Sequence, residues 1–200
     1  MTSLYETVYL DGLPLKLVGI VLGALLIGLH LFALIKAGSV QEFLKTLPRN
    51  RGLGVIILTI DLIWALWLIS TMHMGEFFPA RPWLQTCLPL TYVLVILFVD
   101  EFLAVRAIGA FLLLLACPVL EAAFLRPEET RLLLPALAYA WIFIGMFWVG
   151  MPYLMRDQIA WISKTPGRWS GACIAGAIYG AAILLCAILF WSAGKGEIAM

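Results

Sequence analysis

Pro48 to Ile69, PRNRGLGVIILTIDLIWALWLI, sets Arg49 and Arg51 immediately ahead of a long apolar run. As a helix, Leu53 to Ser70 rises about 27 Å, enough to cross most of the hydrocarbon layer of a bilayer. One residue interrupts the pattern. Asp61 puts a carboxyl near the middle of this run, where it costs several kcal/mol unless it is neutral or partnered. The stretch therefore decides the fold class, a helical membrane protein, and marks the first place to look for function.

The rest of the chain agrees with that reading. Of its 200 residues, 64% are hydrophobic and only 12% charged, and the mean hydropathy is +1.02, a balance unlike that of a soluble domain. The 13 basic and 12 acidic residues leave a net charge of +1, which argues against nucleic acid as a partner. Cys87, Cys117, Cys173 and Cys186 are scattered through or beside apolar runs, with no C-x-x-C and no adjacent His, and read as small core residues instead of metal ligands. The N-terminal MTSLYETVYLDG has no basic region, and no A-x-A site follows, so the first apolar run is expected to be kept as a span.

Six spans are expected, at about 17–35, 53–70, 83–99, 107–125, 132–155 and 171–191, in one transmembrane domain with an all-α fold. The segment 38–52 reads as a short interfacial helix, and MRDQIAWISKTPGRW, from Met155 to Trp169, repeats that theme. HMGEFFPARPWLQTC, after the second span, carries Pro79 and Pro82 and reads as an external loop. The third and fourth spans meet at Asp100 and Glu101 with no Gly or Pro to mark the turn. Pro118 is expected to kink the fourth span. Gly19 and Gly23 in the first span, and Ala172, Gly176 and Gly180 in the sixth, form small-residue faces suited to close helix packing.

Charge sets the orientation. With the loop 36–52 inside, Lys36, Lys45, Arg49, Arg51, Arg106, Arg156, Lys164 and Arg168 are cytoplasmic, leaving Lys16, Arg81, Arg126, Arg131 and Lys195 outside. Both termini then face outward. The expected location is the inner membrane of a bacterial cell.

Three cytoplasmic turns share a pattern: Arg51 precedes Gly54, Arg106 precedes Gly109 and Arg168 precedes Gly171, each by three residues at the start of an even-numbered span. This suggests three helical hairpins in tandem, the arginine fixing the helix end at the headgroups and the glycine admitting a neighbour. Positive-inside placement combined with a high glycine content gives the same coincidence without a repeat. The outline is similar to that of the mitochondrial carrier family. None of Pro14, Pro89 or Pro152 begins the P-x-[DE]-x-x-[KR] motif of that family, so the chain is not assigned to it.

His30 and Asp61 lie about 9 and 12 Å from the cytoplasmic ends of the first two spans, so antiparallel packing would let them meet. Together they suit a proton or cation relay. They equally suit a buried interhelical hydrogen bond, or an Asp61 turned toward a partner subunit. Glu121 lies near the outer end of the fourth span and is expected to snorkel toward Arg126 or Arg131. Asp100, Glu101 and Arg106 form a solvated turn or a docking patch. His73 lies beyond the outer end of the second span, far from His30, which argues against haem. No membrane lysine, H-E-x-x-H, G-x-S-x-G or P-loop is present, so no cofactor is expected.

The function expected from the sequence is that of a non-catalytic accessory or scaffold subunit in a larger membrane complex or homo-oligomer, with the bilayer and other subunits or itself as partners. A proton-coupled transporter or channel working through Asp61 and His30 is the first alternative. Outward of Asp61 its span offers that path only Ser70 and Thr71. A lipid-processing enzyme built on the turn from Asp100 to Arg106 is the second.

Overall fold

A computed structural model describes residues 4–99 and 101–191. Among these residues the regular structure is entirely helical, and six helical segments are long and apolar enough to cross a membrane. The long helices are α1 (Leu15–Ile35), α3 (Arg51–Thr71), α4 (Arg81–Phe98), α5 (Leu103–Ala123), α6 (Leu133–Gly150) and α8 (Pro166–Leu189). Two ten-residue helices, α2 (Ala37–Thr46) and α7 (Tyr153–Ile162), fall in the two segments expected to be interfacial.

Local chemistry sets several boundaries. The Asn50 side chain accepts from the Leu53 amide at 3.0 Å and so starts α3. Thr165 does the same for the Arg168 amide, with Pro166 in the first turn of α8. Pro82 also occupies a first turn, where its missing N–H costs nothing, so α4 already begins at Arg81 and only Gly75–Ala80 remains as a separate 3-10 turn. The expected external loop is shortened accordingly. The fifth span is shorter than expected as well, since α6 stops at Gly150 and Pro152 separates it from α7. Pro89 and Pro118 lie inside α4 and α5, which continue through them. Phe102 makes the turn before α5 with a φ of 57°, and Leu125 follows α5 with a φ of 52°. Asp100 lies outside the described residues.

The chain forms two compact units. Among the described residues the first comprises 4–45, Leu115–Ala140 and 157–191. Its main packing is α1 against α8. Gly19 lies against the Trp191 ring and Ala187, and Gly23 meets the Gly180 carbonyl and Leu184, so a Cβ at either glycine would collide with its neighbours. Trp169 Nε1 donates to the Ala33 carbonyl at 3.1 Å, Tyr179 to that of Leu133 at 2.8 Å, and Trp191 Nε1 to Thr130 Oγ1 at 2.8 Å. Gly12, with a φ of +70°, sits where a Cβ would come within 2.7 Å of the Glu121 carbonyl oxygen; only glycine meets both conditions without strain.

The second unit comprises Thr46–Leu114 and Trp141–Arg156. Here α3 pairs with α4, and Gly54 lies on the backbone of Leu103 and Ala104. Gly109 and Gly145 bring α5 and α6 to backbone contact, while Trp64 meets Phe111 edge to face at 5.9 Å. Arg51 donates to the Ile96 carbonyl at 2.9 Å and Arg106 to that of Val149 at 3.2 Å.

Candidate functional site

Asp61 stands ten residues from either end of α3, about 15 Å along the axis in each direction. Its residue surface is only 5% exposed, and neither carboxyl oxygen has a hydrogen-bond partner among the described residues. It lines a cavity of about 350 Å³ within the second unit, walled chiefly by leucines from α3, α4 and α5 together with Ala65, Thr91 and Tyr92. Helical periodicity explains the arrangement: Leu58, Asp61, Leu62 and Ala65 follow one another at intervals of three, one and three and so share a face of α3.

The nearby hydroxyl protons are already committed. Thr59 Oγ1 donates to the Val55 carbonyl at 2.7 Å, so in its 2.7 Å contact with Tyr92 the phenol must be the donor. Thr91 Oγ1 donates to the Cys87 carbonyl at 2.8 Å. Each of these hydroxyls therefore keeps lone pairs and has spent its hydrogen. The cavity presents acceptors, with the carboxyl the strongest of them.

His30 belongs to the first unit. Its Nδ1 lies 2.7 Å from the Leu26 carbonyl, which can only accept, so Nδ1 carries the proton. The ring lies over Gly176, occupying the space a Cβ there would need. His30 is therefore held by its own helix and by packing against α8. Glu121 is half-buried near the end of α5, and Arg126, one of its two expected anchors, directs Nε at 3.4 Å to the Ala122 carbonyl.

The glycine faces divide by environment. Gly19, Gly23 and Gly180 are buried between α1 and α8, Gly176 is half-buried under His30, and Ala172 is exposed. Of the three Arg-Gly turns, Gly54 and Gly109 touch neighbouring backbone, while Gly171 has open space where a Cβ would stand. Arg51 and Arg106 each cap a last-turn carbonyl of the antiparallel helix. In the third turn Trp169 does this, reaching Ala33, while the neighbouring Arg168 guanidinium lies 4.7 Å over the Trp161 ring. A search of the sequence for basic residues alone passes over Trp169, because its role depends on an indole N–H.

Among the described residues, no three His, Cys, Asp or Glu side chains are grouped so as to hold a metal ion. Cys87 and Cys117 are exposed, Cys173 is buried and Cys186 half-buried, all as free thiols. Comparison of the chain with protein-family models, with characterised proteins and with solved structures finds no match.

Proposed function

We propose that the chain is an integral membrane protein that serves as a non-catalytic accessory or scaffold subunit, and that α4 is its assembly face. One observation supports this reading above others: α4 contains no buried residue, and the segment ending in it, Gly75–Phe98, has the lowest mean hydropathy of the six candidate spans, 1.2. A span that buries no residue fully and is comparatively polar gains more from meeting another helix than from facing lipid. Trp83, Cys87, Leu90, Leu94 and Leu97 are all exposed and follow one another at steps of four, three, four and three. That is the spacing of a knobs-into-holes seam. Pro89 also removes the amide that would bond the Gln85 carbonyl within the helix, leaving an acceptor for a partner.

The test is the mass of the particle extracted from its native membrane in mild detergent, measured by native mass spectrometry. A species larger than the 22.1 kDa chain is expected, and Leu90→Trp, which thickens the middle of the seam, should release the monomer. A wild-type chain that leaves the membrane as a monomer would overturn the reading.

A further inference from the structure

We propose that the cavity around Asp61 is a binding site for an amphiphilic primary ammonium compound: one cationic head carrying several N–H donors, and a flexible hydrocarbon tail. The inference goes beyond the subunit reading and does not rest on it, since the cavity lies among α3, α4 and α5 of one unit and the seam on the exposed face of α4.

The donor count identifies the head. Asp61 offers two carboxyl oxygens without partners, in a residue that is 95% buried. The two hydroxyl residues on the same wall, Thr91 and Tyr92, have given their protons to Cys87 and Thr59 and can only accept. With Asp61 ionised, a ligand whose head is itself only an acceptor, such as a carboxylate, a phosphate or a ketone, would find no hydrogen to bond, and an anionic head would face a like charge. An alcohol satisfies one acceptor. A primary ammonium satisfies up to three and neutralises the carboxylate, which is the electrostatic condition for burying either group. Arg51 and Arg106, near the starts of α3 and α5, donate to the Ile96 and Val149 carbonyls, and neither lines the cavity.

The lining identifies the tail. Leu58, Leu62, Leu88, Val95, Leu113 and Leu114 supply hydrocarbon on three helices. A volume of about 350 Å³ lies at the lower end of the ~300–1,000 Å³ range of small-molecule sites. It accommodates a medium-chain amine without the headgroup of a complete phospholipid. A metal ion is a poor alternative, since the site has one carboxylate and too few further oxygen ligands for a hard cation.

The experiment uses the purified full chain in a neutral maltoside detergent and four probes with the same eight-carbon tail: octylammonium, octyltrimethylammonium, octanol and octanoate. Thermal unfolding is followed against probe concentration, so that any general effect on the micelle appears with every probe and every variant. Octylammonium should raise the midpoint saturably, with octyltrimethylammonium at least tenfold weaker for want of N–H donors, and octanol and octanoate without effect. Asp61→Asn should weaken octylammonium at least tenfold, and Ala65→Phe, which fills the cavity but keeps the carboxyl, should do the same. If octanol matches octylammonium in wild type and Asp61→Asn alike, the cavity takes hydrocarbon chains whatever their head and the proposal fails. It fails equally if octylammonium produces no shift, or an equal shift in both variants. A change of particle mass in Asp61→Asn with an unchanged octylammonium shift would assign the carboxyl to a partner subunit instead, which also overturns it.

Discussion

At the scale of single residues, Asp61 is the point where local chemistry and the fold disagree. Burying a carboxyl that bonds nothing is a cost carried by the folded chain, since the same group is solvated or free to find a partner when the chain is loosened. Replacing it by a side chain of similar size without polar atoms should therefore stabilise the ligand-free protein. Asp61→Leu is expected to gain about 1–3 kcal/mol, seen as a rise of several degrees in the unfolding midpoint of the purified chain. A lower midpoint would mean that the carboxyl does have a partner in the detergent-solubilised protein. An unfavourable residue at the centre of a helix is where a functional site is expected. The composition of the run made Asp61 legible in the sequence, as a lone carboxyl among Ile, Leu and Trp. The commitment of the Tyr92 proton was not, because it follows from the register of α4 against α3 and residues 33 positions apart must first be brought together, whereas Thr59 and Thr91 spend theirs on carbonyls four residues back in their own helices.

At the scale of elements, the six apolar runs were legible from length and hydropathy, because a membrane-spanning helix needs about 20 consecutive apolar residues whatever its neighbours do. The turns were less legible for a definite reason. Phe102 and Leu125 adopt positive φ without being glycine, so the α4–α5 turn carries none of the usual sequence punctuation and the end of α5 is marked only by Pro127. Pro82 misled in the opposite direction, since a proline that breaks a helix in its interior is favoured in its first turn. Helix pairing was hidden too. The last-turn carbonyls of Ile96, Val149 and Ala33 are capped by Arg51, Arg106 and Trp169, which join the second span to the third, the fourth to the fifth and the sixth to the first. These pairings are staggered by one helix from three tandem hairpins. The contact between His30 and Gly176 provides the element-scale test. Gly176→Ala should cost about 1–3 kcal/mol, because the new methyl falls within the imidazole. His30→Ala should relieve it, so the double variant is less destabilised than the sum of the singles by at least ~0.5 kcal/mol. Gly180→Ala serves as the control. Its Cβ would strike Leu26, the Gly23 carbonyl and the Ile27 amide, so His30→Ala should leave its cost unchanged. Additive effects for the Gly176 pair would show that α1 and α8 separate without cost at this level.

At the scale of the whole molecule, alternation of the spans turns the charge distribution into a statement about sidedness. Each observed cap joins the start of one long helix to the end of another, as antiparallel neighbours require. Chain order then puts α2, the α4–α5 turn and α7 on one side, and the Met72–Ala80 and Phe124–Leu132 connections on the other, wherever all six helices cross. The first side carries Lys36, Lys45, Arg49, Arg51, Arg106, Arg156, Lys164 and Arg168; the second carries Lys16, at the start of α1, Arg81, at the start of α4, Arg126 and Arg131. Because translocating a short basic loop is resisted while acidic residues contribute little, the side with α2 and α7 should be cytoplasmic. The prediction is read with an impermeant maleimide on intact cells, in a chain freed of its four native cysteines. Lys45→Cys and Glu129→Cys place the reporter at exposed positions on opposite sides, whereas Leu47 and Pro48 on the same loop as Lys45 are buried and would give a false negative. Glu129→Cys should label directly, and Lys45→Cys only after the membrane is permeabilised. The reverse result would invert the orientation, and labelling of both in intact cells would remove a crossing between them. An inverted orientation would leave the Asp61 cavity in place, because Asp61 stands ten residues from each end of α3. The chemistry of the cavity is fixed by its own lining, whichever side α2 and α7 face.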